Sequence, residues 1–213
     1  MVIVGIDYSM SCPALTIHLG EKWSFDNCKF CFLTHKKKYL DSSLPNILIG
    51  QYHSSQKFYI DRFEDYLSEE DRFYRLARQT HEFFTNWANI ANSAVFIEGY
   101  SFGSKGKVFE IGEACGALKS RIWEAGYEYQ TVPPTVVKKF ASGKGNAKKD
   151  MMHESFLKET QFDISEYFGC GIGKSPGSDI VDSYYIAKYG FYLKNDLLSE
   201  TVNKRQSKSK KEQ

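Results

Sequence analysis

The chain reads as an α/β protein: a mixed five-stranded sheet with helices on both faces. Three observations predict this. Three short apolar runs, separated by turn residues, fill the first 34 positions. Helical and strand-like patterns then alternate to about residue 132, and a helix-rich C-terminal third follows.

The first run, Val2-Ile3-Val4-Gly5-Ile6, is continuous enough for a strand buried on both faces, and it ends on Asp7. Ala14–Leu19 is a second strand with Gly20 starting the turn, and Lys29–Leu33 is a third, which makes an antiparallel meander. Residues 36–56 are polar and include Lys36-Lys37-Lys38, so they read as a long loop or insertion, with Lys57–Phe63 returning as a further strand outside the five counted for the sheet. Ser68 with Asp71 three residues later has the spacing of a capping box. The helix it starts carries Phe73, Leu76, Ala77, Phe83, Phe84, Trp87 and Ile90 as its apolar face.

Ala94-Val95-Phe96-Ile97 is the fourth strand and ends on Glu98. A glycine-rich loop, residues 99–106, leads to a helix over Lys107–Ala125, whose apolar positions are Val108, Ile111, Cys115, Leu118 and Ile122. Gly112 and Gly116 on that helix leave room for a close neighbour, in the core or across a dimer. Tyr127–Val132 is the fifth strand. Pro134 suits the first turn of a short helix to Phe140, and the loop Gly143-Lys144-Gly145-Asn146 precedes a helix over Ala147–Lys158. Residues 161–177 read as irregular, and the last helix starts after Ser178, a good N-cap, and runs to Lys194.

Composition sets the class. At 213 residues, 42% hydrophobic and 25% charged, the chain has the make-up of one soluble globular domain. No apolar run reaches the length of a membrane span and the N-terminus has no signal-peptide pattern, so a cytoplasmic protein is expected. Five cysteines, one pair of them the lone Cys28-Lys29-Phe30-Cys31, fit reduced thiols better than a disulfide framework or a zinc site. Net charge is only +2, but Lys204, Arg205, Lys208, Lys210 and Lys211 face one acid, Glu212, in the last eleven positions. Residues 1–195 are therefore read as the domain and 196–213 as a basic, disordered tail that serves solubility or attracts phosphates.

Four acids carry the chemistry. Asp7 and Glu98 end strands, and Asp179 and Asp182 are an i, i+3 pair at a helix start. A carboxylate at the end of a buried strand is costly unless something compensates its charge. Each acid alone has an ordinary reading, as a turn residue or a partner for the helix dipole. Together they can meet at one point, where they repel unless divalent cations neutralise them. That is the layout of a two-metal phosphodiester-cleaving site. The segment Gly169–Ser175 looks like a phosphate-binding loop, but position 168 is Phe where that pattern needs its first glycine.

In these segments the chain resembles the RuvC-like Holliday-junction resolvases of the ribonuclease H-like superfamily, and is similar to phage-encoded members. The resemblance rests on Ile3–Asp7, Val95–Glu98, Asp179-Ile180-Val181-Asp182 and the block Val132-Pro133-Pro134-Thr135-Val136-Val137-Lys138-Lys139 through Lys149. It implies a ribonuclease H-like fold and a structure-selective endonuclease on branched DNA, working as a homodimer in a bacterial or phage-infected cell. It implies two Mg²⁺ per site, with Mn²⁺ as a substitute, on Asp7, Glu98, Asp179 and Asp182. It implies Lys138 and Lys149 at the scissile phosphate, and Tyr100 or Phe102 against junction bases. Lys105, Lys107, Lys139, Lys144 and Lys148 are the expected DNA contacts. The chain departs from the family in having Tyr8-Ser9 after the first aspartate and a longer segment 20–60. Another ribonuclease H-like nuclease, or a junction-binding protein without catalysis, stays open. An actin-like sugar kinase, to which Gly5-Ile6-Asp7 and the serines after it are also similar, needs a longer chain.

Overall fold

A computed structural model of the chain describes residues 1–34, 48–49, 57–62, 65–99 and 107–198. The strands are β1 (Val2–Asp7), β2 (Ala14–His18), β3 (Cys28–Thr34), β4 (Leu48–Ile49), β5 (Phe58–Arg62), β6 (Ser93–Glu98) and β7 (Tyr129–Val132). The helices are α1 (Glu69–Thr85), α2 (Val108–Glu124), α3 (Pro134–Ser142), α4 (Lys149–Thr160), α5 (Ile164–Tyr167) and α6 (Gly177–Lys194). All strands join one mixed sheet in the order β4-β5-β3-β2-β1-β6-β7. The meander β1-β2-β3 is antiparallel, and β6 pairs parallel with both β1 and β7.

The sheet has seven strands rather than the five expected, because β5 and then β4 extend it beyond β3 through parallel pairing. Phe58, Tyr59 and Ile60 bury enough apolar surface to hold β5 there. The two-residue β4 lies inside a polar segment that carries no strand pattern. The rest of the insertion, like the tail after Leu198, lies outside the described residues.

Side chains of a strand alternate between faces, and this divides the core in two. Ile3, Phe30, Ala94 and Phe96 meet α3, α4, α5 and α6 on one face. Val4, Ile6, Cys31, Val95 and Ile97 meet α1 and α2 on the other. Cys28 and Cys31 point to opposite faces, so they do not form one chelate, and the described cysteines are free thiols.

Ser68 caps α1 through the Asp71 N–H, at 3.2 Å, while the Asp71 carboxylate accepts from the Leu67 N–H rather than from the cap residue's own N–H. Trp87 and Ile90 fall beyond the end of α1, and Ile90 is exposed. On α2, Val108 and Ile111 are only half-buried, and a Cβ at Gly112 or Gly116 would meet no atom within 4 Å. No neighbour within the described chain uses those glycines. The segment after α4 contains the short helix α5, whose N-cap Asp163 accepts from the Ser165 and Glu166 N–H groups. Among the described residues no helix is long and apolar enough to cross a membrane.

Candidate active site

Alternation along β1 puts Asp7 on the same face as Ile3 and Gly5, and along β6 it puts Glu98 with Ala94 and Phe96. That is the face covered by α6. The parallel register pairs Ile6 with Ile97, so the next residues, Asp7 and Glu98, stand side by side at the carboxyl ends of adjacent strands. Carboxyl ends of parallel strands are where open α/β sheets build their sites.

α6 lies close against these strands. A Cβ on Gly5 would come within 2.3 Å of the Ala187 backbone nitrogen, and one on Gly190 within 2.2 Å of the Phe96 ring. Thr16 Oγ1 and Ser183 Oγ share a hydrogen bond of 2.8 Å that ties β2 to the same helix. These contacts set the height of α6, whose first two turns carry Asp179 and Asp182 on one side.

The result is a cleft of about 400 Å³ lined by Asp7, Glu98, Asp179 and Asp182, with Lys138 from α3 and Lys149 from α4. Tyr8, Ser9, Gly99, Ile111, Cys115 and Pro134 complete its walls. Lys149 Nζ donates to Ser178 Oγ at 3.1 Å and pairs with Asp179 Oδ1 at 3.5 Å. Ser178 Oγ donates to Asp179 Oδ1 at 3.0 Å, and Ser175 Oγ donates to Asp179 Oδ2.

Burial first, and mutual repulsion second, raise the proton affinity of three of these carboxyls. Burial pushes the Asp7 carboxyl well above the usual range, with repulsion from Glu98, Asp182 and Asp179 added and Lys149 opposing. Burial and Asp182 raise Glu98 to about 7, against the pull of Lys138 and Lys149. Burial raises Asp182 to about 6, with Lys149 and Lys138 opposing and Asp179 adding. Two ammonium groups therefore offset only part of the negative charge. A set of carboxylate oxygens suits a hard divalent cation, and the raised proton affinities mark a site short of positive charge, so the residues fit Mg²⁺. Among the described residues, however, no three His, Cys, Asp or Glu side chains already stand in a metal-holding arrangement.

The remaining expected residues divide clearly. Lys139, Lys144 and Lys148 are exposed and do not line the cleft. Lys107 is exposed at the start of α2 and lines a neighbouring cavity. Tyr100, Phe102 and Lys105 lie outside the described residues. Ser178 is not the N-cap expected: α6 begins at Gly177 with Pro176 before it and no side-chain cap, and the serine hydroxyl serves Asp179 and Lys149 instead. Sequence reasoning missed Ser175, and its position four residues before Asp179 was the available signal.

The sheet order and the helices on both faces define a ribonuclease H-like α/β fold. The chain shares it with RuvC. The solved structure of Thermus thermophilus RuvC matches with a TM-score of 0.53 and 20% identity, over 92% of this chain and 98% of that one. The structure of T. thermophilus RuvC in complex with Holliday junction substrate matches with a TM-score of 0.53 and 16% identity, over 92% and 97%. No protein-family model and no curated protein sequence matches the chain. The resemblance read from the sequence is thus borne out at the level of fold.

Proposed function

We propose that this chain is a structure-selective DNA endonuclease that resolves four-way junctions by Mg²⁺-assisted hydrolysis, acting in the cytoplasm as a homodimer. It would nick paired strands symmetrically and leave 5′-phosphate and 3′-hydroxyl ends. The observation that carries this reading is the gathering of Asp7, Glu98, Asp179 and Asp182 with Lys138 and Lys149 in one cleft of a ribonuclease H-like fold. A similar chain of that fold has been solved on a Holliday junction.

Asp7, Glu98, Asp179 and Asp182 would hold the Mg²⁺ ions, with Asp7 at the centre of the repulsion. When bound, the ions supply Lewis acidity to a water and to the leaving 3′-oxygen. The chain does the rest. Glu98, whose proton affinity is raised to about 7 in the cleft when no cation is bound, would serve as a ligand in its ionised form. Lys149, whose side chain is 55% exposed at the rim of the cleft, offsets charge growing on the non-bridging phosphate oxygens. Lys138 does the same from α3. Ser178 holds the Lys149 ammonium and the Asp179 carboxylate in register.

The test is a gel assay of purified protein on a synthetic four-way junction, a linear duplex and an RNA–DNA hybrid, each with and without Mg²⁺. Paired symmetric nicks in the junction alone, and only with Mg²⁺, support the reading. Cutting of the hybrid instead makes the chain a ribonuclease H-type enzyme. Tight junction binding without cleavage under any divalent cation makes it a binding protein.

A further inference from the structure

The carboxylate cleft has a neighbour. A second cavity, of about 340 Å³, shares Tyr8, Ser9, Ile111 and Cys115 with it and is otherwise walled by residues that include Ser11, Arg72 and Lys107. None of the described residues that line this cavity is a carboxylate. The contrast in charge between adjoining spaces is the first observation.

The second concerns Arg72. Its side chain is only 12% exposed, and its guanidinium carbon lies 5.5 Å from the Tyr66 ring centre and 5.3 Å from that of Phe73. Glu69 pairs with one terminal nitrogen, Nη2. The Nε is buried and has no partner among the described residues. An arginine fixed by Glu69 and two rings at the wall of a cavity is placed to meet an anionic ligand there. Tyr8, on the wall common to both cavities, likewise has a buried hydroxyl without a partner. Lys107 stands at the start of α2, which has no side-chain cap, so the positive end of a 17-residue helix adds to the field there.

We infer that this second cavity is a phosphate subsite, in which Arg72 and Lys107 grip the backbone phosphate next to the one that is cut. The inference rests on the nuclease reading and deepens it: the strand is held at two consecutive positions, one over carboxylates and one over cations. An arginine grips a phosphate through paired N–H donors, which fixes direction as well as affinity.

The experiment is a salt titration of four-way-junction binding in EDTA for the wild type, Arg72→Gln and Arg72→Lys. Arg72→Gln weakens binding roughly tenfold and makes the slope of log affinity against log salt shallower by about 0.9, the value of one phosphate contact on duplex DNA. Arg72→Lys recovers most of the slope. A purely structural role for Arg72 would lower the melting temperature and leave the slope unchanged. The partner arm uses junctions with single uncharged methylphosphonates on either side of the scissile position. One of these weakens the wild type about as much as Arg72→Gln does and adds nothing to that variant. Should Arg72→Gln fail to fold, the same scan with Lys107→Gln decides. A folded Arg72→Gln with wild-type affinity and slope, or methylphosphonate effects additive at every position, overturns the subsite while leaving the nuclease reading intact. A wild-type protein without affinity for DNA overturns both.

Discussion

The Lys149 ammonium stands 3.5 Å from Asp179 Oδ1, bridged to the same carboxylate by the Ser178 hydroxyl. Lysine on α4 and aspartate on α6 thus meet across the mouth of the cleft, twenty-nine residues from Lys149 to Ser178. Held at the cleft, the same ammonium opposes the rise in proton affinity at Asp7, Glu98 and Asp182.

Replacing that ammonium is expected to slow chemistry more than binding. Lys149→Ala should lower the single-turnover cleavage rate at least about tenfold, equivalent to about 1.4 kcal/mol of transition-state stabilisation. Rapid-quench kinetics at saturating protein measure it. A loss confined to affinity would make Lys149 an ordinary phosphate contact.

Gly5 makes a second prediction, on stability. A methyl group there would press on backbone atoms of α6, Ala187 N at 2.3 Å and Ser183 O at 2.6 Å, which have no flexible side chain to give way. Gly5→Ala should cost about 1–3 kcal/mol in urea unfolding, as overpacked cores do. It should also impair cleavage by lifting Asp179 and Asp182 away from Asp7. An unchanged unfolding midpoint would mean that α6 is not seated on β1 as described.

The carboxylates predict a pH dependence. Asp7, Glu98 and Asp182 hold protons more tightly folded than unfolded, so their contribution is most favourable below the ordinary carboxylate range. It is lost as pH rises through about 6 for Asp182 and about 7 for Glu98. In EDTA, the wild type should therefore lose thermal stability relative to Asp7→Asn between pH 5 and pH 8, on the order of a unit or two around those values. Mg²⁺ should restore more stability at pH 8 than at pH 5. Parallel melting curves for the two proteins across that range would contradict the repulsion.

Much of this site was legible before any coordinates. Asp7 and Glu98 end continuous apolar runs, and strand alternation carries both to one face, so sequence alone brings them together. Asp179 and Asp182 follow from helical spacing. Ser178 was misread because a serine before a helical stretch normally caps it, whereas here Pro176 takes that place and the hydroxyl turns to the cleft. The strand at β5 is legible from its residues but its place in the sheet is not, since edge pairing depends on partners far along the chain, and the two-residue β4 leaves no period to read. Nothing in the sequence singles out Arg72 among the arginines of α1; its place between the Tyr66 and Phe73 rings emerges only in the fold.

The tail yields a prediction from sequence. Residues 203–213 hold five basic side chains and no large apolar one. Deleting them should weaken binding to junction and linear duplex by similar factors and flatten the salt dependence of both. Cleavage at saturating protein should persist, because the cleft residues all lie upstream. Selective loss of junction binding in a salt titration would instead give the tail a role in recognising structure.

The central claim is that the four carboxylates form one catalytic cation site, and Asp7→Asn tests it most directly. The change removes charge at the point where Glu98, Asp179 and Asp182 all act, while nearly preserving shape. Junction binding and single-turnover cleavage with Mg²⁺ should be measured on the same preparation. The account predicts near wild-type binding with cleavage abolished. Cleavage of the junction by Asp7→Asn at the wild-type rate would contradict it.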